Sequence, residues 1–111
     1  MGDTNYFSGI VKVLENPGQT FFNDKVPVTT LRVQISQTRY NRIISLVFWG
    51  NLAREVKTYY QINDYILIEG YLSIRIKKNI NLTTKNSKKV TVTVLKVYPF
   101  LLKPNRTIGK V

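Results

Sequence analysis

At 111 residues the chain has room for one domain around one core. Its 17 Lys and Arg against 6 Asp and Glu leave a net charge of +11, while 43% hydrophobic residues argue against disorder. No apolar run approaches the ~20 residues of a membrane span, and with no Cys and no His the disulfides and the usual soft metal ligands are excluded.

Alternation with a period of two dominates the chain and predicts half-buried strands. Tyr6 to Val13 reads as the first, with Phe7, Val11 and Val13 on one face and Tyr6, Ser8, Ile10 and Lys12 on the other. Asn16-Pro17-Gly18 ends it with turn chemistry, Pro presetting φ and Gly expected in the left-handed region. Gln19 to Pro27 is expected to be a loop whose Phe21 and Phe22 pack onto the body.

From Val28 the second strand sets Leu31, Val33 and Ile35 against Thr30, Arg32 and Gln34. Polar residues Gln37 to Asn41 make a hairpin connection, and Arg42 to Trp49 is the third strand, with Ile44, Leu46 and Phe48 opposed to Ile43, Ser45, Val47 and Trp49. Asn51 is expected to cap a short helix whose apolar stripe is Leu52, Val56, Tyr59 and Tyr60. Asn63-Asp64 turns the chain into a long fourth strand, Tyr65 to about Ile76, in which Gly70 predicts a bulge or bend. Asn79 to Lys89 reads as a basic loop and Val90 to Val97 as the fifth strand. Residues 1–98 are thus one domain, and 99–111 a short basic tail expected to be flexible.

Three strands, a helix and two strands is the order of the OB-fold, a five-stranded Greek-key barrel with its helix between strands three and four: all-β with one short helix. There is no internal repeat.

Charge suggests what such a barrel would hold. The last acidic residue is Glu69, and beyond it every charge is positive, from Arg75 and Lys77 to Lys110, interleaved with strand-like apolar residues. One-signed charge on a small β domain points to a polyanion, with nucleic acid first and an anionic membrane surface as the competitor. A general binder of unpaired strands needs cations along a groove and flat rings for stacking. The polar strand faces offer both: Thr30, Arg32 and Gln34 from strand two, Ser45 and Trp49 from strand three, Tyr71, Ser73, Arg75 and Lys77 from strand four. Trp49 is the foremost stacking ring, unless it is core or covered by an oligomer contact. Tyr71 divides between stacking and simple half-burial.

Arg39, Tyr40 and Arg42 sit on the hairpin between strands two and three, which is either a wrapping finger or a solvated turn. The guanidinium groups of Arg32 and Arg75 can stack as well as bind phosphate. Lys77, Lys78, Lys85, Lys88 and Lys89 frame the last loop, and Tyr59 and Tyr60 read as core packing. The six acids are scattered with no paired spacing, so no enzyme, cofactor or metal site is expected. Glu69 reads as a local partner for a cation.

Two stretches resemble a known family. Leu46-Val47-Phe48-Trp49-Gly50-Asn51-Leu52-Ala53-Arg54-Glu55-Val56, then Tyr59-Tyr60, and Ile66-Leu67-Ile68-Glu69-Gly70-Tyr71-Leu72-Ser73-Ile74-Arg75 are similar to the bacterial-type single-stranded-DNA-binding proteins. Those have an aromatic-Gly-x-Leu-Ala run before a helix and a hydrophobic-Glu-Gly-x-Leu strand after it. Asn5 and Asn16-Pro17 match the family's start, and the likeness runs from about Asn5 to Val97. It implies binding of single-stranded DNA in replication, repair or recombination, an aromatic contact at Trp49, and a homo-oligomer, dimer or tetramer, for which Tyr6, Ile10 and Ile43 offer an apolar strip.

The departures matter too. Val11 stands where the family commonly has glycine, and several of its stacking aromatics fall on Ile43 and near Lys77. The acidic, Gly-rich tail that recruits partner proteins has no counterpart. The related primosomal replication protein N lacks it too, so a primosomal or RNA-binding accessory role stands as the alternative, and a basic protein-interaction module as a third reading. Lys, Asn, Ile, Tyr and Phe are abundant while Ala53 is the sole alanine, the bias of A/T-rich codons. That bias fits the genome of a plastid, a low-GC bacterium or a phage. With no leader pattern at the start, the resemblance to small A/T-rich family members of red-algal plastids implies a plastid (chloroplast) protein, or else a bacterial cytoplasmic one.

Overall fold

Each strand of the barrel owes its place to the alternation along it. In the computed structural model, which describes residues 5–36, 41–77 and 87–102, β1 (Tyr6–Val13) buries Val11 and Val13 and leaves Tyr6 and Ile10 outside. β3 (Val26–Ser36) buries Leu31 and Val33, β4 (Asn41–Trp49) buries Ile44, Leu46 and Phe48, and β5 (Tyr65–Lys77) buries Ile66 and Ile68. Val92 and Val94 come from β6 (Ser87–Leu101). Burying a side chain of this kind stabilises by about 1.5–3 kcal/mol, which makes the shared interior the main force holding the strands in register.

The sheet order is β1-β5-β6-β4-β3-β2, and an additional β1–β3 pairing closes five of these strands into a ring. β4 and β6 run parallel; the other pairs are antiparallel. This is the expected OB-fold barrel. Its helix α1 (Asn51–Tyr59) joins β4 to β5, the same place in the chain as expected, with the strand numbers raised by the additional strand β2 (Gly18–Phe22).

β2 occupies what the sequence presents as a loop. It pairs with Val26–Thr30 as the edge of the sheet, with nearly every residue exposed, so no apolar/polar alternation marks it. Its hairpin turns through Asn23 and Asp24, both left-handed (φ 54° and 58°), closed by the Lys25 N–H donating to the Phe22 carbonyl at 3.0 Å. That matches a primed hairpin turn, for which Asn and Asp are suited. Gly18 is not left-handed and begins the strand; among the described glycines only Gly50 has positive φ. Phe21 and Phe22 are both more than half exposed, and neither belongs to the core.

The helix start also differs from expectation. Gly50 (φ 64°) is the N-cap, with no side-chain cap, and Asn51 is the first helical residue, its Oδ1 accepting from Arg54 Nη1 at 3.1 Å. The reversal after Trp49 demands positive φ, which glycine adopts without a steric cost. Ala53, Val56 and Tyr60 face the core, Leu52 packs partly against it, and Tyr59 stays exposed with its ring edge-on to Tyr60 at 5.0 Å. Buried Thr29 ties helix to barrel by donating its hydroxyl to the Ala53 carbonyl at 2.7 Å.

Two turns lock together at one end of the barrel. Asn16 Oδ1 accepts from the Ile62 N–H at 3.0 Å, and the buried Asp64 carboxylate accepts from the Gln61 N–H at 2.9 Å. Asn63 (φ 76°) makes the reversal, its N–H donating to the Val13 carbonyl while the Val13 N–H donates to Asp64. β5 then shifts register against β6 between Glu69 and Gly70, the predicted irregularity. β6 is longer than expected at both ends. Beyond Thr93 it lacks its parallel neighbour β4, so Pro99 falls where a strand tolerates a residue without an N–H. Residues 103–111 lie outside the described residues.

Candidate nucleic-acid interface

Cross-strand register assembles the outward residues into rungs. Arg32 pairs with Ser45, Ser45 with Thr91 and Thr91 with Ser73, a continuous rung over β3, β4, β6 and β5. The next runs Thr30, Val47, Thr93, Tyr71 and on to Tyr6 of β1. Beyond it Trp49 lies opposite Val28. On the other side of the Arg32 rung, Gln34 lies opposite Ile43 and Arg75 opposite Lys89. Arg32, Gln34, Trp49, Tyr71, Ser73, Arg75 and Lys89 therefore share the outer face of one curved sheet. Gln34 is half-buried and the other six are exposed.

The rings are available. Trp49 is 44% exposed and Tyr71 47%, so neither is a core residue. Each leans on a neighbour: Trp49 meets Phe22 edge-to-face at 5.7 Å, and Tyr71 meets Tyr6 in the same way at 5.8 Å. Such contacts hold a ring's orientation while leaving a face open. The Tyr6 hydroxyl donates to Glu69 Oε1 at 2.8 Å, and that bond to a carboxylate raises the phenol pKa above its ordinary value by favouring the protonated form. Glu69 thus takes a hydroxyl partner, with Lys96 as its cross-strand neighbour.

Not every expected residue joins this face. Arg42 lies opposite Ile35 and shares the alternation of Ile44 and Leu46, so it leaves β4 on the inner side, exposed at the barrel end. Lys77 and Lys88 are in the paired ends of β5 and β6. Arg39, Tyr40, Lys78 and Lys85 lie outside the described residues. The expected apolar strip also divides: Ile10 lines up with Leu67 and Tyr98, two rungs along β1 from Tyr6, whereas Ile43 is over on β4.

Two features of the face escape sequence reasoning. Phe22 comes to Trp49 only because β2 folds back along β3. Glu15 comes to Arg32, its Oε1 accepting from Nε at 3.2 Å and its Oε2 from the backbone N–H at 2.9 Å. Both lie beside a concavity of about 180 Å³ that Thr30, Ser45, Lys89 and Thr91 also line. Nothing in the spacing of Glu15 and Arg32 announces that pairing; it depends on β1 closing onto β3.

No family model matches the chain. It is 39% identical over 102 residues, 88% of its length and 90% of the relative's, to the "Putative single-stranded DNA-binding protein ycf41" of Trieres chinensis. Among solved structures it is similar to the SSB domain of a Synechococcus protein, at 25% identity and a TM-score of 0.67 over 88% of this chain and 98% of that one. The second single-stranded DNA binding protein of Mycobacterium smegmatis shares its fold at 24% identity and a TM-score of 0.69, covering 98% of both chains. The small single-stranded DNA-binding protein of Streptomyces coelicolor does so at 10% identity and 0.79, over 90% of this chain and 97% of that one. The ring of strands and the relative matched along most of both chains lead to one assignment: this chain belongs to the single-stranded-DNA-binding protein family.

Proposed function

We propose that the chain binds single-stranded DNA without strong sequence preference, across the outer face of β3, β4, β6 and β5. The observation that carries this is Arg75 standing directly opposite Lys89. Like charges in opposed positions destabilise a sheet, and a polyanion laid over them reverses the sign of that interaction. Rings of Trp49 and Tyr71 on neighbouring rungs supply stacking surfaces, and exposed hydroxyls of Ser73 and Thr30 supply donors. The role is protection of unpaired strands in replication, repair or recombination, by binding and not by catalysis. The amino-acid bias toward A/T-rich codons favours a plastid setting. Ile10, Leu67, Tyr98 and Tyr6 form the surface through which copies of the chain would associate.

A salt series with an oligothymidylate, followed by Trp49 fluorescence, tests the reading. Binding should quench the indole, and log K should fall linearly with log salt at about −0.7 per phosphate neutralised. Replacing Arg75 and Lys89 together with Gln should flatten the slope by roughly 1.4. Salt-indifferent binding, or none, would reject the proposal, and tighter binding of a matched RNA would turn it toward the accessory role.

A further inference from the structure

The concavity at Glu15 obeys a different rule from the rest of the basic face. Glu15 is one of only 6 acids against 17 basic residues, yet its carboxylate sits against Arg32. One of its two bonds goes to the Arg32 backbone N–H, on a paired strand, so the group is held and cannot swing aside freely. A strand phosphate entering here would approach that carboxylate and be repelled, which directs the DNA backbone toward Arg75 and Lys89 instead. Whatever meets the carboxylate has to bring N–H donors.

Bases differ sharply in what they can bring. A carboxylate has about four acceptor sites, and Arg32 uses one on each oxygen. Guanine carries N1–H and N2–H side by side, one for each oxygen. Cytosine and adenine have a single amino group on the corresponding edge, and thymine a single N3–H. Glu15 bonds the guanidinium through Nε, which leaves the terminal nitrogens as donors for guanine O6 and N7, the pairing for which arginine is suited. At about 180 Å³ the concavity is scaled to one base, below the roughly 300–1,000 Å³ of pockets for larger ligands. Thr30, Ser45, Thr91 and Lys89 line it with polar groups, and Leu31 and Val47 add apolar surface for the face of a base.

We infer that Glu15 and Arg32 form a base-reading subsite that takes guanine from a strand bound elsewhere without regard to sequence. The inference rests on the single-strand binding proposed above. It is tested by anisotropy titrations of the full chain with three labelled oligothymidylates, one unmodified, one with a central guanosine and one with inosine there. Inosine lacks the N2 amino group. The guanosine strand should bind about five- to tenfold tighter than the inosine strand, the lower range for a bidentate pair at an open site. Glu15→Gln, which keeps the shape of the side chain, should erase that difference. Equal affinities in the wild type, or a guanosine preference that survives in Glu15→Gln, would overturn the subsite while leaving single-strand binding in place. Equal tightening of all three strands by Glu15→Gln would also overturn it, because Glu15 would then be a mere counter-charge. Failure of every strand to bind would remove the underlying reading as well.

Discussion

Gly70 is the position where one added carbon has the largest calculable effect. A Cβ there would lie 2.1 Å from the Thr93 carbonyl oxygen and 2.9 Å from Val94 Cα. Both are backbone atoms of β6, at the point where β5 and β6 shift register, so no side-chain rotation relieves the clash. Gly70→Ala must push the two longest strands apart in the middle of their shared ladder. Overpacking of this kind costs typically 1–3 kcal/mol and occasionally more; a rigid backbone obstacle puts Gly70→Ala at about 3 kcal/mol. For a domain of this size that is a fall of roughly 13 °C in Tm. Gly18→Ala provides the matched control, since a Cβ at Gly18 meets nothing within 4 Å and its φ is not positive. The control should be neutral or slightly stabilising. Thermal unfolding followed by circular dichroism measures both. If Gly70→Ala melts within a few degrees of Gly18→Ala, the close approach of β5 to β6 is wrong. The placement of Tyr71, Ser73 and Arg75 beyond the shift would then be wrong with it.

Trp49→Ala should leave the fold intact, because the indole is 44% exposed and outside the core, but weaken oligonucleotide binding by about 1–3 kcal/mol for the lost stack; collapse of the fold would contradict the exposed placement. Phe22→Ala frees one edge of the indole, and a blue shift instead of a red shift in Trp49 emission would count against their contact. Thr29→Val removes the buried hydroxyl that adds a second hydrogen bond to the helical Ala53 carbonyl and should cost about 0.5–1.5 kcal/mol in urea unfolding, whereas an unchanged midpoint would show that bond to be unimportant. Tyr6 has a folded pKa above the ordinary 10.0 because Glu69 accepts its proton-bearing hydroxyl. The associated stability is therefore complete below the unfolded pKa and is lost as pH climbs through the folded one. An alkaline absorbance titration should lose one phenol titrating above the ordinary range in Tyr6→Phe, and an unaltered curve would refute the assignment.

The strands that carry the core were legible because burial on one side writes a period of two into neighbouring residues. Leu31/Val33, Ile44/Leu46/Phe48 and Ile66/Ile68 are inward as their spacing requires, and Gly70 marks the irregularity its lack of a side chain suggests. β2 was illegible for the same reason in reverse: an edge strand exposed on both faces has no alternation to read. The extra length of β6 was hidden because Pro99 looks like a stop unless one knows that its second neighbour has already ended. At Gly50 the backbone reversal outweighed the capping preference of Asn51.

The amino-acid order by itself determined which residues could face outward and that the surplus charge there is positive, since both depend on composition and on spacing within one strand. Only the closed barrel decided which of those residues meet. Register between strands set Arg75 against Lys89, carried Phe22 to Trp49 and brought Glu15 onto Arg32. Those distances follow from long-range pairing driven by the shared core, and no pattern within a single segment contains them.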